Sequence, residues 1–171
     1  YLLKPISAYG HYFIHQGTVT FYDIILKALF FLPILGLFYG VTLLSWHQLG
    51  TVLLLLISGY FTTFSLYFTF SIMAFWFQQV DSLRMTALFI GRYLSGVLIP
   101  FYLFPDTLQE ILWWTPFPHY AYTPIALATG QIETLQALQG LGILTVWGIV
   151  FYICNQLLWD KATHAYEGTG I

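Results

Sequence analysis

Ala28–Val80 reads ALFFLPILGLFYGVTLLSWHQLGTVLLLLISGYFTTFSLYFTFSIMAFWFQQV, 53 residues between Lys27 and Asp81 without one Lys, Arg, Asp or Glu. A helix needs about 20 predominantly apolar residues to cross the hydrocarbon layer of a bilayer. The stretch therefore holds two spans and a connection. Ser45-Trp46-His47-Gln48-Leu49-Gly50 is its one cluster of polar and glycine residues, and Trp46 suits a membrane–water boundary. The spacing predicts one helix over 22–44 and another over 51–77, joined by a turn at 45–50. Pro33 falls inside the first, where it kinks a membrane helix without breaking it.

Working outward, a further span is clear between Glu133 and Asp160, whose 26 intervening residues end in the aromatic anchor Trp159 followed by Asp160 and Lys161. It is placed at 136–159. Ser82–Ile99 reads as a helix whose apolar run continues to Phe104, giving a fourth span over 82–104 with Arg92 inside it. Pro100, Pro105, Pro116, Pro118 and Pro124 follow within 25 residues (100–124), which excludes one straight helix. The segment stays rich in Leu, Phe, Trp and Tyr. Irregular backbone at membrane depth survives only when buried in protein or lining a cavity. Residues 106–130 are accordingly read as short re-entrant helices, the alternative being an aromatic-rich external loop on the interface.

The composition agrees with an all-α polytopic membrane protein forming a single transmembrane domain over 1–171. Charged residues are 7% of the chain and hydrophobic ones 58%, whereas an ordinary soluble domain is about 25% charged. Lys4, Lys27, Arg84, Arg92 and Lys161 are all the basic residues. Four alternating spans put every one of them on one side, or on the half-helix nearest it. The 101–136 region carries only Asp106, Glu110 and Glu133. The positive-inside rule makes the basic side cytoplasmic, so both ends of this chain are expected there. A net charge of −2 gives no reason to expect nucleic acid as a partner. The chain starts at Tyr1 with no signal peptide before its apolar segments, and is expected to lack its N-terminal part.

Few residues suggest catalysis. His11 and His15 share a helix face at i, i+4, a spacing that can suit a metal but equally an amphipathic interfacial segment, and no Cys, Asp or Glu is near before Asp23. His47, His119 and His164 are scattered. Neither a phosphate-binding Gly-rich loop ending in Lys-Ser or Lys-Thr nor Gly-x-Ser-x-Gly occurs. Cys154 reads as a small buried hydrophobe. Gly36 and Gly40 form a small-xxx-small pattern that permits close helix packing. Arg92 is either a functional intramembrane charge or a side chain that snorkels to the cytoplasmic interface.

The order of motifs carries more. Ser95-Gly96-Val97-Leu98-Ile99-Pro100-Phe101-Tyr102-Leu103-Phe104-Pro105 precedes Leu108-Gln109-Glu110-Ile111-Leu112, Thr115-Pro116-Phe117, Tyr122-Thr123-Pro124 and Gly130. This series resembles the segment after the fifth helix of bacterial type-2 ABC transporter (ABC-2) permeases. It is closest to the branch with Gly-x-Leu-Ile-Pro, Phe-Pro, Pro-Phe and Tyr-x-Pro there. Leu2-Leu3-Lys4-Pro5 is similar to the Leu-Leu-Arg-Pro turn of that branch, and Ala74-Phe75-Trp76-Phe77 to the element ending its fourth helix. The departures are Lys4 for Arg, and Ala128-Thr129-Gly130-Gln131 where Leu-Gly-Lys is common.

The resemblance implies the C-terminal four helices of a six-helix permease in a bacterial inner membrane. It implies no enzyme and no cofactor in this chain, with ATP and Mg on partner ATP-binding subunits, and a second permease, identical or related, beside it. Leu2, Leu3, Lys4, Pro5 and His11 would belong to the ATPase-coupling element. Pro100, Pro105, Pro116, Pro118 and Pro124 would belong to re-entrant helices closing the outer side of an export path. Tyr93, Tyr102, Trp113, Trp114 and Tyr120 are candidates to line that path. The alternatives are a structural or assembly subunit of a larger membrane complex, and a membrane-embedded enzyme using His11, His15 and His119.

Overall fold

The computed structural model describes residues 8–39, 45–77 and 80–167, and every regular element among them is helical. The order is α1 (Ala8–Tyr39), α2 (Trp46–Ile72) with a 3-10 turn at Met73–Phe75, α3 (Val80–Leu94), a 3-10 turn at Phe101–Leu103, α4 (Asp106–Trp113), a 3-10 turn at Pro118–Tyr120, α5 (Tyr122–Ala128) and α6 (Thr134–Glu167). Two units separate, Tyr1–Leu43 and Leu44–Ile171.

The first unit is α1. Its 32 residues extend the expected 22–44 helix back to Ala8, because nothing between Ala8 and Tyr22 breaks a helix. At about 1.5 Å per residue it is longer than the hydrocarbon layer. Tyr9 stacks on Phe13 with centroids 6.2 Å apart, while Ile14, Phe21, Tyr22 and Ile24 are exposed. Leu2, Leu3, Lys4, Pro5 and Gly40 lie outside the described residues.

In the second unit the expected turn at 45–50 is already helix. Ser45 is the N-cap: its N–H donates to Gln48 Oε1 at 3.1 Å and its hydroxyl to the same oxygen at 2.7 Å. The Gln48 side chain, reaching back over one turn, satisfies the Ser45 N–H at the helix start, so the polar cluster begins α2 instead of preceding it.

Trp46–Phe75 (30 residues) and Thr134–Ala162 (29 residues) are long and apolar enough to cross a membrane. Only 28% and 22% of their most apolar windows are buried in the chain. The burial differs from that of a soluble core in how many small and polar residues turn inward and how many large aliphatics turn outward. Thr51, Gly59, Thr62 and Ser65 of α2 and Gly140, Gly148 and Asn155 of α6 face inward, while Leu53, Leu54, Leu56, Ile57, Val146, Ile149, Val150 and Ile153 face outward. Leu55, Phe68, Ile72 and Leu144 are buried among them, so the seam mixes small, polar and apolar residues while branched aliphatics cover the outside, an arrangement of helices that pack in lipid. Cys154, expected inside, is exposed, because its neighbour Asn155 takes the inward position.

The contacts show that α2 and α6 run parallel. Ser58 Oγ meets Thr145 Oγ1 at 3.3 Å; Thr62 Oγ1 lies 3.0 Å from the Leu144 carbonyl; Asn155 Nδ2 donates to the Ser65 carbonyl at 2.8 Å. Thr69 donates to Asn155 Oδ1 at 2.7 Å, and Phe68 and Phe75 both pack on Trp159. The backbones approach closely at Gly148, where a Cβ would stand 2.7 Å from Thr62 Oγ1. Parallel spans put their C-terminal ends together, so Arg84 and Lys161 follow the same end of the pair. Asn155→Leu keeps volume but deletes both amide bonds. It is expected to weaken the α2–α6 pairing by about 1 kcal/mol, read as lower unfolding stability in detergent; unchanged stability would assign the seam to van der Waals packing alone.

The span expected over 82–104 is shorter as a helix. α3 ends at Leu94, and Gly96 follows at φ +85°, a left-handed backbone that terminates helices. Arg92 is therefore in the last turn of α3, where a cation complements the partial negative charge of the unpaired carbonyls.

Candidate functional site

The five prolines frame a hairpin made of α4, the Pro118–Tyr120 turn and α5. Pro100 and Pro105 are exposed, at the approach to it. Pro116, Pro118 and Pro124 are buried within it. Each removes an N–H, so the chain turns sharply with fewer donors to satisfy in an apolar place.

The tip of the hairpin is His119-Tyr120, and it is wedged between α2 and α6. A Cβ on Gly59 of α2 would sit 2.9 Å from Tyr120 Cβ and 3.3 Å from its Cα. A Cβ on Gly140 of α6 would sit 2.6 Å from His119 Nδ1 and 3.1 Å from Cε1. Only glycine gives the tip this room. Gly59 lies near the middle of Trp46–Phe75, so the hairpin reaches about 20 Å down α2 at 1.5 Å per residue. Tyr120 then extends to a third helix, its hydroxyl donating to the Gly91 carbonyl of α3 at 2.7 Å.

His119 is fully buried, and both ring nitrogens are engaged. Nε2 lies 2.7 Å from the Trp113 carbonyl, which can only accept, so Nε2 carries the proton. Nδ1, 2.9 Å from Thr123 Oγ1, is then the acceptor of that hydroxyl's proton. The Trp113 ring closes edge-on over the imidazole, with centroids 4.9 Å apart. Burial pushes the His119 pKa below its ordinary value of 6.5, outweighing the opposite pull of the Trp113 carbonyl. The residue is a neutral strut joining the two arms of the hairpin.

Other bonds fix the arms. Trp147 Nε1 of α6 donates to the Trp114 carbonyl at 3.0 Å. Phe101 stacks on Tyr122 at 4.7 Å, pinning the approach to α5. α5 ends in a left-handed Gly130 (φ +72°), with Gln131 N–H donating to the Ala126 carbonyl at 2.8 Å and Gly130 N–H to that of Leu127 at 3.2 Å. Leu127 thereby packs with Leu55, Ala137 and Leu144 in the buried cluster between the spans.

Residues 1–170 match the family model described as ABC-2 family transporter protein. The chain belongs to the ABC-2 transporter family. No curated protein and no solved structure matches it significantly. In this ABC-2 chain the prolines quoted for the sequence resemblance fall at the approach to the hairpin and within it.

Of the residues proposed to line a path, Tyr93, Tyr102 and Trp114 are exposed, whereas Trp113 and Tyr120 turn inward and hold the hairpin. His11 is on α1, a separate unit from His119. Among the described residues no group of three His, Cys, Asp or Glu could hold a metal, and His119 has no free nitrogen to offer one. Sequence reasoning missed Gly59, Gly91, Gly140 and Thr123. Gly140 and Gly148 recur on one face of α6, a signal of close approach, but nothing in the sequence says what approaches.

Proposed function

We propose that this chain is the permease subunit of an ABC-type exporter, with separate ATPase subunits supplying the energy. What carries the reading is the family match over residues 1–170 joined to the hairpin that enters between two spans. A permease needs no catalytic group. It needs packed elements with two arrangements, biased by nucleotide-driven closure of the ATPases. A hairpin held by a few polar bonds and glycine contacts is an element of that kind, and Pro100, Pro105, Pro116, Pro118 and Pro124 would shape it as the outer closure.

In this proposal four helices of the chain cross a bacterial inner membrane, α3 with its extension among them, and both ends face the cytoplasm. Leu2, Leu3, Lys4, Pro5 and His11 couple to the ATP-binding subunit, which holds ATP and Mg. A second permease completes the pathway.

The test is purification from native membranes under mild detergent. An ATP-binding subunit should co-purify, and substituting Leu3, Lys4 and Pro5 should reduce ATPase activity of the complex about tenfold, the loss expected of a coupling energy near 1.4 kcal/mol. A stable complex without any nucleotide-binding chain overturns the reading in favour of a structural subunit.

A further inference from the structure

Tyr120 at the hairpin tip touches three helices at once. A Cβ on Gly59 of α2 would stand 2.9 Å from its Cβ, its ring packs on the buried cluster that includes Leu144 of α6, and its hydroxyl donates to the Gly91 carbonyl of α3 at 2.7 Å. These ties are unequal. α2 and α6 are stitched together by Thr62, Thr69 and Asn155, whose polar atoms lie 2.7 to 3.0 Å from their partners across the seam. The hairpin is bonded to α6 through Trp147 and is wedged against α2, so these elements form one body. α3 is different. From Ser82 to Leu94 its residues are exposed or half-buried, with Gly91 alone buried among them. A Cβ at Gly91 would lie 3.1 Å from Tyr120 Oη, 3.2 Å from Tyr67 Oη and 3.9 Å from Phe117 Cε1. Glycine therefore lets the α3 backbone close on the hairpin and on α2 at one point.

That point is built to be exchanged. The Gly91 carbonyl also accepts the Ser95 N–H at 3.0 Å, so it keeps a partner when Tyr120 leaves. Tyr67 lies about two turns further along α2 than Gly59. Its hydroxyl reaches the same glycine and makes no hydrogen bond among the described residues. Just beyond, Gly96 takes its left-handed turn at φ +85°. The chain after it is held to the hairpin, since Phe101 stacks on Tyr122 at 4.7 Å and both their Cβ atoms would be 3.4 Å from a Cβ on Gly96. α3 thus has a fixed pivot at Gly96, a closed bond at Gly91 and a second phenol beside that bond.

We propose that Tyr120 and Tyr67 form a two-position latch for α3. In this structure the Tyr120 hydroxyl holds the Gly91 carbonyl; in the second position α3 turns about Gly96 and the Tyr67 hydroxyl takes that carbonyl over. One neutral hydrogen bond replaces another, so the two positions lie close in free energy, as a bistable element requires. The seam between α2 and α6 is untouched by the exchange. A displacement of α3 is thereby felt at the hairpin tip. That the latch serves a transport cycle rests on the permease reading; the latch itself does not.

The experiment uses the full protein purified with its bound partners, in a Cys154→Ser background. Nitroxide labels are placed at the exposed positions Phe89→Cys of α3 and Ile125→Cys of α5, and, in a second sample, at Leu54→Cys of α2 and Val146→Cys of α6. Labelled protein is diluted with unlabelled protein so that each distance, read by double electron–electron resonance, lies within one chain. The wild type should show a dominant α3–α5 distance. Y120F should raise a second population about fivefold, the scale of one neutral hydrogen bond, and leave the α2–α6 distance unchanged. Y67F added to Y120F should bring the ratio back toward the wild-type value, because each position has then lost one bond. Unchanged populations in Y120F, or a further rise when Y67F is added, overturn the latch. A shift of the α2–α6 distance in Y120F also overturns it, since Tyr120 would then hold the whole fold. Y120F removes one oxygen and keeps the ring beside Gly59, so it should retain the wild-type elution profile. If it does not, Y67F alone carries the test, and a wild type without a second population, or one that Y67F fails to lower, overturns the latch. Absence of an ATPase partner with these populations intact would remove the permease reading and leave the latch standing.

Discussion

Gly140→Ala is expected to destabilise the chain by about 3 kcal/mol, although alanine is the better helix former by about 1 kcal/mol. The added methyl would stand 2.6 Å from His119 Nδ1. The imidazole cannot retreat, since Trp113 and Thr123 hold its two nitrogens at 2.7 and 2.9 Å. Either the hairpin tip withdraws from between α2 and α6, or the two buried hydrogen bonds break. Gly142→Ala is the internal control, being on the same helix with nothing within 4 Å of its Cβ position. It should be neutral or slightly stabilising. Detergent unfolding of the pair reads the difference directly. His119→Ala combined with Gly140→Ala should recover part of the loss, because the small residue vacates the space. Equal stability of G140A and G142A would mean that the hairpin does not sit against α6 in this way.

The second large effect is acid lability centred on His119. Its pKa in the folded chain lies below the ordinary 6.5 because burial disfavours the charged ring. The unfolded chain then binds more protons than the folded one as pH drops. The stability that neutral His119 provides is fully present above about 6.5 and is lost as pH falls through its lowered folded value. Protonation also puts a second N–H on the ring, facing Thr123 Oγ1, so that hydroxyl must turn its own proton elsewhere. Unfolding midpoints measured from pH 7.5 to pH 5 should fall for the wild type. His119→Gln, which can still donate to the Trp113 carbonyl, should be less stable at neutral pH by about 2 kcal/mol but flatter with pH. An identical pH slope in H119Q would locate the titration on another group.

Much of the architecture was legible in the sequence because a bilayer reads composition locally. Each residue of Ala28–Val80 contributes to the transfer free energy on its own, so a membrane-crossing helix in its second half followed from counting, and Trp46–Phe75 is that helix. The prolines marked the hairpin for the same local reason, by removing donors and excluding helical backbone before each ring. Boundaries were less legible. The 45–50 cluster became a helix start because Ser45 and Gln48 cap it, and α3 stopped at Leu94 because Gly96 takes a left-handed turn.

Hydrophobicity alone could not say which face of α2 or α6 turns inward. In a soluble protein the outward face is polar; here the outward face is as rich in Leu, Ile and Val as the inward one, and the inward one also takes Thr, Ser, Asn and Gly. His119 accordingly looked like one of several scattered histidines, and Gly59, Gly91 and Gly140 like ordinary glycines. Their meaning is a set of distances between residues far apart in sequence, from Gly59 to Tyr120 and from Gly140 to His119. The sequence by itself determined that the chain is helical and belongs in a membrane, and that its regular helices give way around the proline series, since those follow from local transfer energies and backbone chemistry. Only the tertiary structure decided that the hairpin tip is locked between two parallel spans and that the Tyr120 hydroxyl reaches across to the Gly91 carbonyl of α3. Those outcomes depend on how closely backbones can approach, a property of the assembled pair and of neither helix alone.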